Sequence, residues 1–84
     1  MPESYYYISQ IVEFAFGFTP RGFIPCNGQL LAIREHEPLY ALLGTTYGGD
    51  GRHTFALPDL RGKTSSEHLH YCICAIGILP QRKK

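Results

Sequence analysis

Apolar and polar positions alternate from Val12 to Phe16, where Glu13 and Ala15 separate Val12, Phe14 and Phe16. That period of two predicts a half-buried strand, and the aromatic and β-branched residues from Tyr5 onward extend the strand-like region toward Phe18. Gly17, Thr19, Pro20 and Gly22 then break the pattern into a loop. Asn27-Gly28 lies between the apolar runs Phe23–Cys26 and Leu30-Leu31 and predicts a hairpin, because both residues tolerate positive φ. Pro25 cannot donate to a ladder, so the first arm is expected to be short or at a sheet edge.

A single helix of about ten residues is predicted around Pro38. Pro38 suits the first turn, and Glu35 and Glu37 suit the positive end of the dipole. Leu39, Leu42 and Leu43 form an i, i+3, i+4 stripe, and Gly44 can cap the end. Tyr47-Gly48-Gly49-Asp50-Gly51 favours turns over regular structure. Phe55 to Leu60 is apolar but interrupted by Pro58, and it reads as a packed loop or edge segment. Thr64–Ser66 is a connection, and His68 to Ile76 is the last predicted strand, ending at Gly77 and Pro80. The expected fold is α+β, with short strands, structured glycine-rich loops and one short helix. With 84 residues the chain has room for a single domain, 1–84.

Composition supports a folded domain: 44% of residues are hydrophobic, and six Tyr and five Phe supply core material. A domain of this size buries only roughly 60–65% of the surface its unfolded chain exposes, so help from partners is expected. The net charge of +1 builds no long-range field for nucleic acid. The terminal Arg82, Lys83 and Lys84 read as a solvated tail. No apolar run approaches a membrane span, so no membrane insertion is expected. Met1–Gln10 is too polar for a signal peptide, which predicts synthesis in the producing cell's cytoplasm. Cys26, Cys72 and Cys74 do not form an extracellular disulfide framework, and buried free thiols are expected.

Catalytic motifs fail on spacing. Gly62-Lys63-Thr64 mimics the end of a phosphate-binding loop, but that loop needs a glycine where Leu57 stands. The Gly48–Gly51 run lacks the dinucleotide spacing. A cysteine nucleophile would need a histidine and an orienting carboxylate beside it, whereas Cys72 and Cys74 sit in the most strand-like stretch. No enzymatic activity is expected. Arg52, Asp59 and Arg61 are charged residues in a glycine-rich region, where a carboxylate can bridge a guanidinium and backbone amides and pin an irregular loop.

Two stretches resemble the phage tail-collar family, which includes the microcystin-dependent proteins. One is Pro20-Arg21-Gly22-Phe23 followed by Cys26-Asn27-Gly28-Gln29-Leu30-Leu31. The other runs from Leu39 to Gly62 and holds Gly48-Gly49-Asp50-Gly51-Arg52 and Leu57-Pro58-Asp59-Leu60-Arg61-Gly62. Tyr71-Cys72-Ile73 with Gly77-Ile78 and Pro80 looks like the family's closing strand. The resemblance implies that Arg21, Gly22, Cys26, Asn27, Gly28, Gly48, Gly49, Asp50, Gly51, Pro58, Asp59, Arg61 and Gly62 carry the structural motif. Family members commonly hold a long variable region before the closing strand, and here only Lys63 to His70 fills that place. A minimal collar core is therefore expected.

The resemblance implies a structural module of a phage tail or phage-tail-like particle, assembled in the bacterial cytoplasm through contacts with tail or fibre proteins. A homo-oligomer is expected, with a trimer favoured. The alternative is an adhesin that binds a host surface or carbohydrate, with exposed Tyr and His side chains stacking on sugars. Tyr5-Tyr6-Tyr7-Ile8 is the candidate interface, since aromatics are enriched in interface cores, and the alternative is that it completes the monomer's own core. On a strand, His68, His70, Cys72 and Cys74 would share one face. His68 and His70 are the candidate metal ligands, three pairs of them holding Zn at a trimer axis, as histidines of a His-x-His motif do in some short tail fibres of the wider family. The other reading is a pair of surface histidines at a strand entrance. No other cofactor is expected.

Overall fold

A computed structural model describes residues 5–81, so the basic cluster Arg82, Lys83 and Lys84 lies outside the described residues. The elements are β1 (Ile11–Phe14), β2 (Phe23–Pro25), β3 (Leu30–Ala32), a short 3₁₀ turn at Ile33–Glu35, α1 (Glu37–Leu43), β4 (Thr54–Ala56) and β5 (His70–Cys74). They form an α+β fold with two antiparallel sheets, one ordered β1-β5-β2 and the other β3-β4.

The centre of the larger sheet is β5, and its buried residues fall on both faces. Ile73, paired with Ile11 and Ile24, is fully buried and faces the main core. That core joins Ile8, Cys26, Leu39, Phe55, Leu57 and Ile73, drawing on α1, both sheets and the segments between them. On the opposite face, Cys72 and Cys74 follow His70 at every second position, and β1 and β2 place Phe14 beside His70 and Phe23 beside Cys74. A chain of rings runs over this face. Tyr6 meets Phe23 at 5.2 Å, Phe23 meets Phe14 at 5.2 Å, Phe14 meets Phe16 at 5.0 Å, and Phe16 stacks on Phe18 at 4.5 Å. Aromatic side chains thus do on one face what a second layer does on the other.

Several expectations need correction. Asn27-Gly28 does not close a hairpin, because β2 pairs with β5 and β3 pairs with β4. The turn instead passes the chain from one sheet to the other. Pro25 does lie in an edge strand, as its missing N–H requires. Strand β1 stops at Phe14, short of Phe16, where it faces His70, the first residue of β5. The segment at Tyr5–Ile8 is not a strand. Ser9 adopts φ of 77°, Gln10 N–H donates to the Tyr7 carbonyl, and only an isolated parallel bridge joins Tyr7 to Ile78.

The helix is shorter than predicted. His36, at φ −141° and ψ 47°, interrupts the helical path, so Ile33–Glu35 forms a separate turn and α1 keeps seven residues. Pro38 sits in the first turn and Gly44, at φ 58°, caps the end by donating its N–H to the Tyr40 carbonyl. Leu39 is buried and Leu43 packs on the core, but Leu42 points outward at 41% exposure. The i, i+4 pair carries the packing, and a seven-residue helix cannot turn a wider stripe inward.

Candidate functional site

The residues that carry the sequence motifs converge on two stitched loops. In the first, the Cys26–Gln29 turn lies along the Leu57–Leu60 segment. Gly28 N–H donates to the Pro58 carbonyl at 3.2 Å, Leu60 N–H to the Cys26 carbonyl at 2.9 Å, and Leu57 N–H to the Gln29 carbonyl at 3.0 Å. The Gln29 side chain closes the turn from within, accepting from Asn27 N–H and donating to the Pro25 carbonyl at 2.8 Å. Gly28 holds φ of 75°, and a Cβ there would sit 3.1 Å from Asp59 Cβ. Two motifs about thirty residues apart in sequence are thus one structural unit, in which backbone groups without a regular ladder find partners.

In the second loop, Asp50 organises the glycine run. Its Oδ1 accepts from the backbone N–H groups of Arg52, His53 and Thr54, each at 2.9 Å. Its own N–H donates to Thr54 Oγ1 at 3.2 Å. The predicted carboxylate bridge is present at Asp59, which takes both the Arg61 backbone N–H at 3.2 Å and the Arg61 guanidinium, with Nε at 2.9 Å from Oδ1 and Nη2 at 2.7 Å from Oδ2. Asp50 adds a second carboxylate anchor, on the amides of this loop. Arg52 does not join the Asp59 pair. Asp50 had no such role among the expectations; an Asp in a turn is a signal for a bond to the amide two residues on, as with Arg52, but not for the further two.

These bonds leave an electrostatic signature. The His53, Thr54 and Arg52 amides hold the Asp50 carboxyl well below the usual carboxylate range, and Arg61 brings Asp59 down to about 2. A depressed carboxyl contributes stability that is fully present above its unfolded value of 3.8 and is lost as pH falls through its folded value. The melting temperature should therefore decline between about pH 4 and pH 2. Asp50→Asn, which keeps the accepting oxygen but cannot titrate, should flatten that decline more than Asp59→Asn, since Asp50 is shifted further. Thermal melts across this pH range check the order, and equal slopes in all three proteins would refute the assignment.

The remaining candidates divide. All three cysteines are buried free thiols. Burial, with Cys72 nearby, pushes Cys26 up to about 11, and burial raises Cys72 as well. Both stay protonated at neutral pH, the wrong state for nucleophilic attack. His68 lies outside β5, in the turn before it, with its N–H donating to Ser66 Oγ at 3.2 Å and its exposed ring 3.9 Å from Glu67. His70 opens β5 and meets the rings of Phe14 and Phe16 at 6.2 and 6.5 Å. The two imidazoles are therefore not successive same-face residues of one strand. Among the described residues no group of three or more His, Cys, Asp or Glu could hold a metal ion.

The tyrosine segment is split as well. Ile8 joins the core and Tyr6 packs on Phe23, while Tyr5 and Tyr7 are 70% and 52% exposed. Phe16 and Phe18, which the sequence reading did not select, add an exposed stacked pair at the end of the ring chain. Arg21 and Gly22 form the turn before β2, where the Gly22 carbonyl accepts from Ala75 and Ile76 N–H. Gly62 holds φ of 76° in the turn after Arg61.

Fold and motif residues together define a small α+β scaffold, in which glycine turns and carboxylates stitch irregular loops onto two sheets. The phage tail collar domain model matches residues 9–65, more than half of the chain. The chain belongs to the phage tail collar domain family, a class of structural tail modules rather than an enzyme family. No curated protein gives a significant match to it.

Proposed function

We propose that this chain is a structural component of a tail fibre or collar, in a phage or phage-tail-like particle, and that it acts by protein–protein assembly rather than catalysis. The observation that carries the reading is the family match across the residues that hold the loops together. The protonated thiols and the largely structural use of the motif residues support it. The assembled particle in the bacterial cytoplasm, and later the virion tail, is its place. Among the described residues no helix is long and apolar enough to cross a membrane.

Assembly uses the exposed rings of Tyr5, Tyr7, Phe16 and Phe18, because large aromatics left at a surface are suited to burial against a partner. We expect a homotrimer in light scattering coupled to size exclusion, and loss of that trimer in the Phe16→Ser/Phe18→Ser double variant. A trimer that dissociates on chelation would support Zn held by His68 and His70 around its axis. A trimer indifferent to chelator removes the metal and keeps the assembly. A wild-type monomer overturns self-assembly and leaves other tail proteins as the partners.

A further inference from the structure

The smaller sheet carries a feature that the assembly reading does not use. A groove of ≈ 590 Å³ opens beside it, between the β3–3₁₀ segment and the loop leading into β4. Arg34 lines one wall, and Arg52 and His53 line the other. Among the described residues neither arginine side chain forms an ion pair or a side-chain hydrogen bond, so both guanidiniums keep their donors for a ligand. Glu37 and Thr54 complete the polar lining, and Ala32 and Ile33 supply an aliphatic surface.

The walls are fixed by the bonds described above. Asp50 Oδ1 takes the amides of Arg52, His53 and Thr54, three consecutive residues of the groove. The opposite wall is tied to them by Ile33 N–H donating to the His53 carbonyl at 2.9 Å, and by the pairing of Ala32 with Thr54. The groove backbone is therefore pre-organised, which lowers the entropy lost when a ligand binds.

We propose that this groove binds an acidic saccharide unit, a polyhydroxylated ring bearing a carboxylate or phosphate. Two guanidiniums line the groove, and each can present a forked pair of donors to an oxyanion. The volume falls within the range of small-molecule sites and exceeds what a bare ion needs. Glu37 opposes binding of a bare anion or a polyanion but accepts hydrogen bonds from ring hydroxyls. Thr54 adds a hydroxyl, and the aliphatic patch of Ala32 and Ile33 suits the C–H face of a sugar ring. The net charge of +1 further disfavours a nucleic-acid occupant. This site does not depend on the oligomeric state, so failure of the assembly experiment leaves it standing.

The test is a ¹⁵N-¹H NMR titration of the full chain with four probes: glucuronate, glucose 6-phosphate, glucose and inorganic phosphate. Saturable shifts of the Ile33, Arg52, His53 and Thr54 amides are expected with both acidic sugars. Glucose and inorganic phosphate should bind roughly tenfold more weakly or worse. Arg34→Gln and Arg52→Gln should each weaken acidic-sugar binding by roughly tenfold, with the rest of the spectrum and the melting temperature unchanged. Arg→Lys at either position keeps charge and fold but loses the fork, and should also weaken binding. Three results would overturn the proposal: no saturable shifts at the groove, glucose binding as tightly as glucuronate, or acidic-sugar affinity unaffected by the arginine changes. Inorganic phosphate binding as tightly as glucose 6-phosphate would also overturn it, reducing the site to a simple anion contact.

Discussion

Phe55→Ala should destabilise the protein by about 3–5 kcal/mol, the usual cost of emptying a fully buried aromatic site. Phe55 has no exposed surface and is among the largest fully buried side chains. It sits on β4, pairs with Leu31 of β3, and meets the Tyr40 ring of α1 at 5.4 Å. Its removal therefore loosens the smaller sheet, the helix and the core together. In a domain of this size 1 kcal/mol corresponds to ~4–8 °C, so the melting temperature should fall by at least about 12 °C. Total stability of a native domain is only about 5–15 kcal/mol, so part of the population should be unfolded at 37 °C if this domain lies near the low end. Circular dichroism melts of the wild type, Phe55→Ala and Phe55→Leu check the point. The leucine variant keeps most of the volume and should lose less. An alanine variant that melts within a few degrees of wild type would show that the core is not organised around this ring.

The second large effect is expected at Gly49. Its φ is 96°, and a Cβ there would meet the Phe55 Cα and the Thr54 carbonyl, both backbone atoms that cannot swing aside. Gly49→Ala should cost at least about 2 kcal/mol through strain and displacement of β4. Two other glycines serve as internal standards. Gly44 holds φ of 58° and ψ of −145° with open space where a Cβ would go, so alanine there should cost about 1–3 kcal/mol from the positive-φ backbone alone. Gly17 lies outside the positive-φ set and has equally open surroundings, so alanine there should change stability by less than about 1 kcal/mol. The expected order of loss is Gly49, then Gly44, then Gly17, read from denaturant midpoints. A Gly49→Ala variant no less stable than Gly17→Ala would mean that the 48–51 loop does not lie against β4.

Both predictions bear on the collar motif, because Gly49 and Phe55 fall within the matched residues 9–65. The glycine run is there so that backbone can approach backbone. Asp50 is there because three amides in the resulting loop need an acceptor. The Arg61–Asp59 pair is largely exposed, at 66% and 49% for the two side chains, and solvent screens it. It orients the turn after Pro58 more than it holds the fold together.

What was legible in the sequence was local. Alternation marked β1, the stretch His68–Ile76 contained β5, Pro25 marked an edge, Pro38 and Gly44 bracketed the helix, and the glycine run marked the turns. Each of these rests on φ preference, a missing N–H or side-chain periodicity, which act within a few residues. The family resemblance was legible for the same reason, since its motifs are short strings of turn-forming residues. The tertiary structure decided the rest. Asn27-Gly28 has the chemistry of a hairpin, yet whether its two arms pair with each other depends on what competes for their edges. Here β5 takes one arm and β4 the other. The role of Asp50 depended on which amides the folded loop aims at it. The groove between Arg34 and Arg52 exists only because the β3–β4 pairing brings their segments side by side. Local preference fixes the conformation of a segment. Which segments meet is set by burial and hydrogen-bond satisfaction over the whole chain, and no short stretch of residues contains that information.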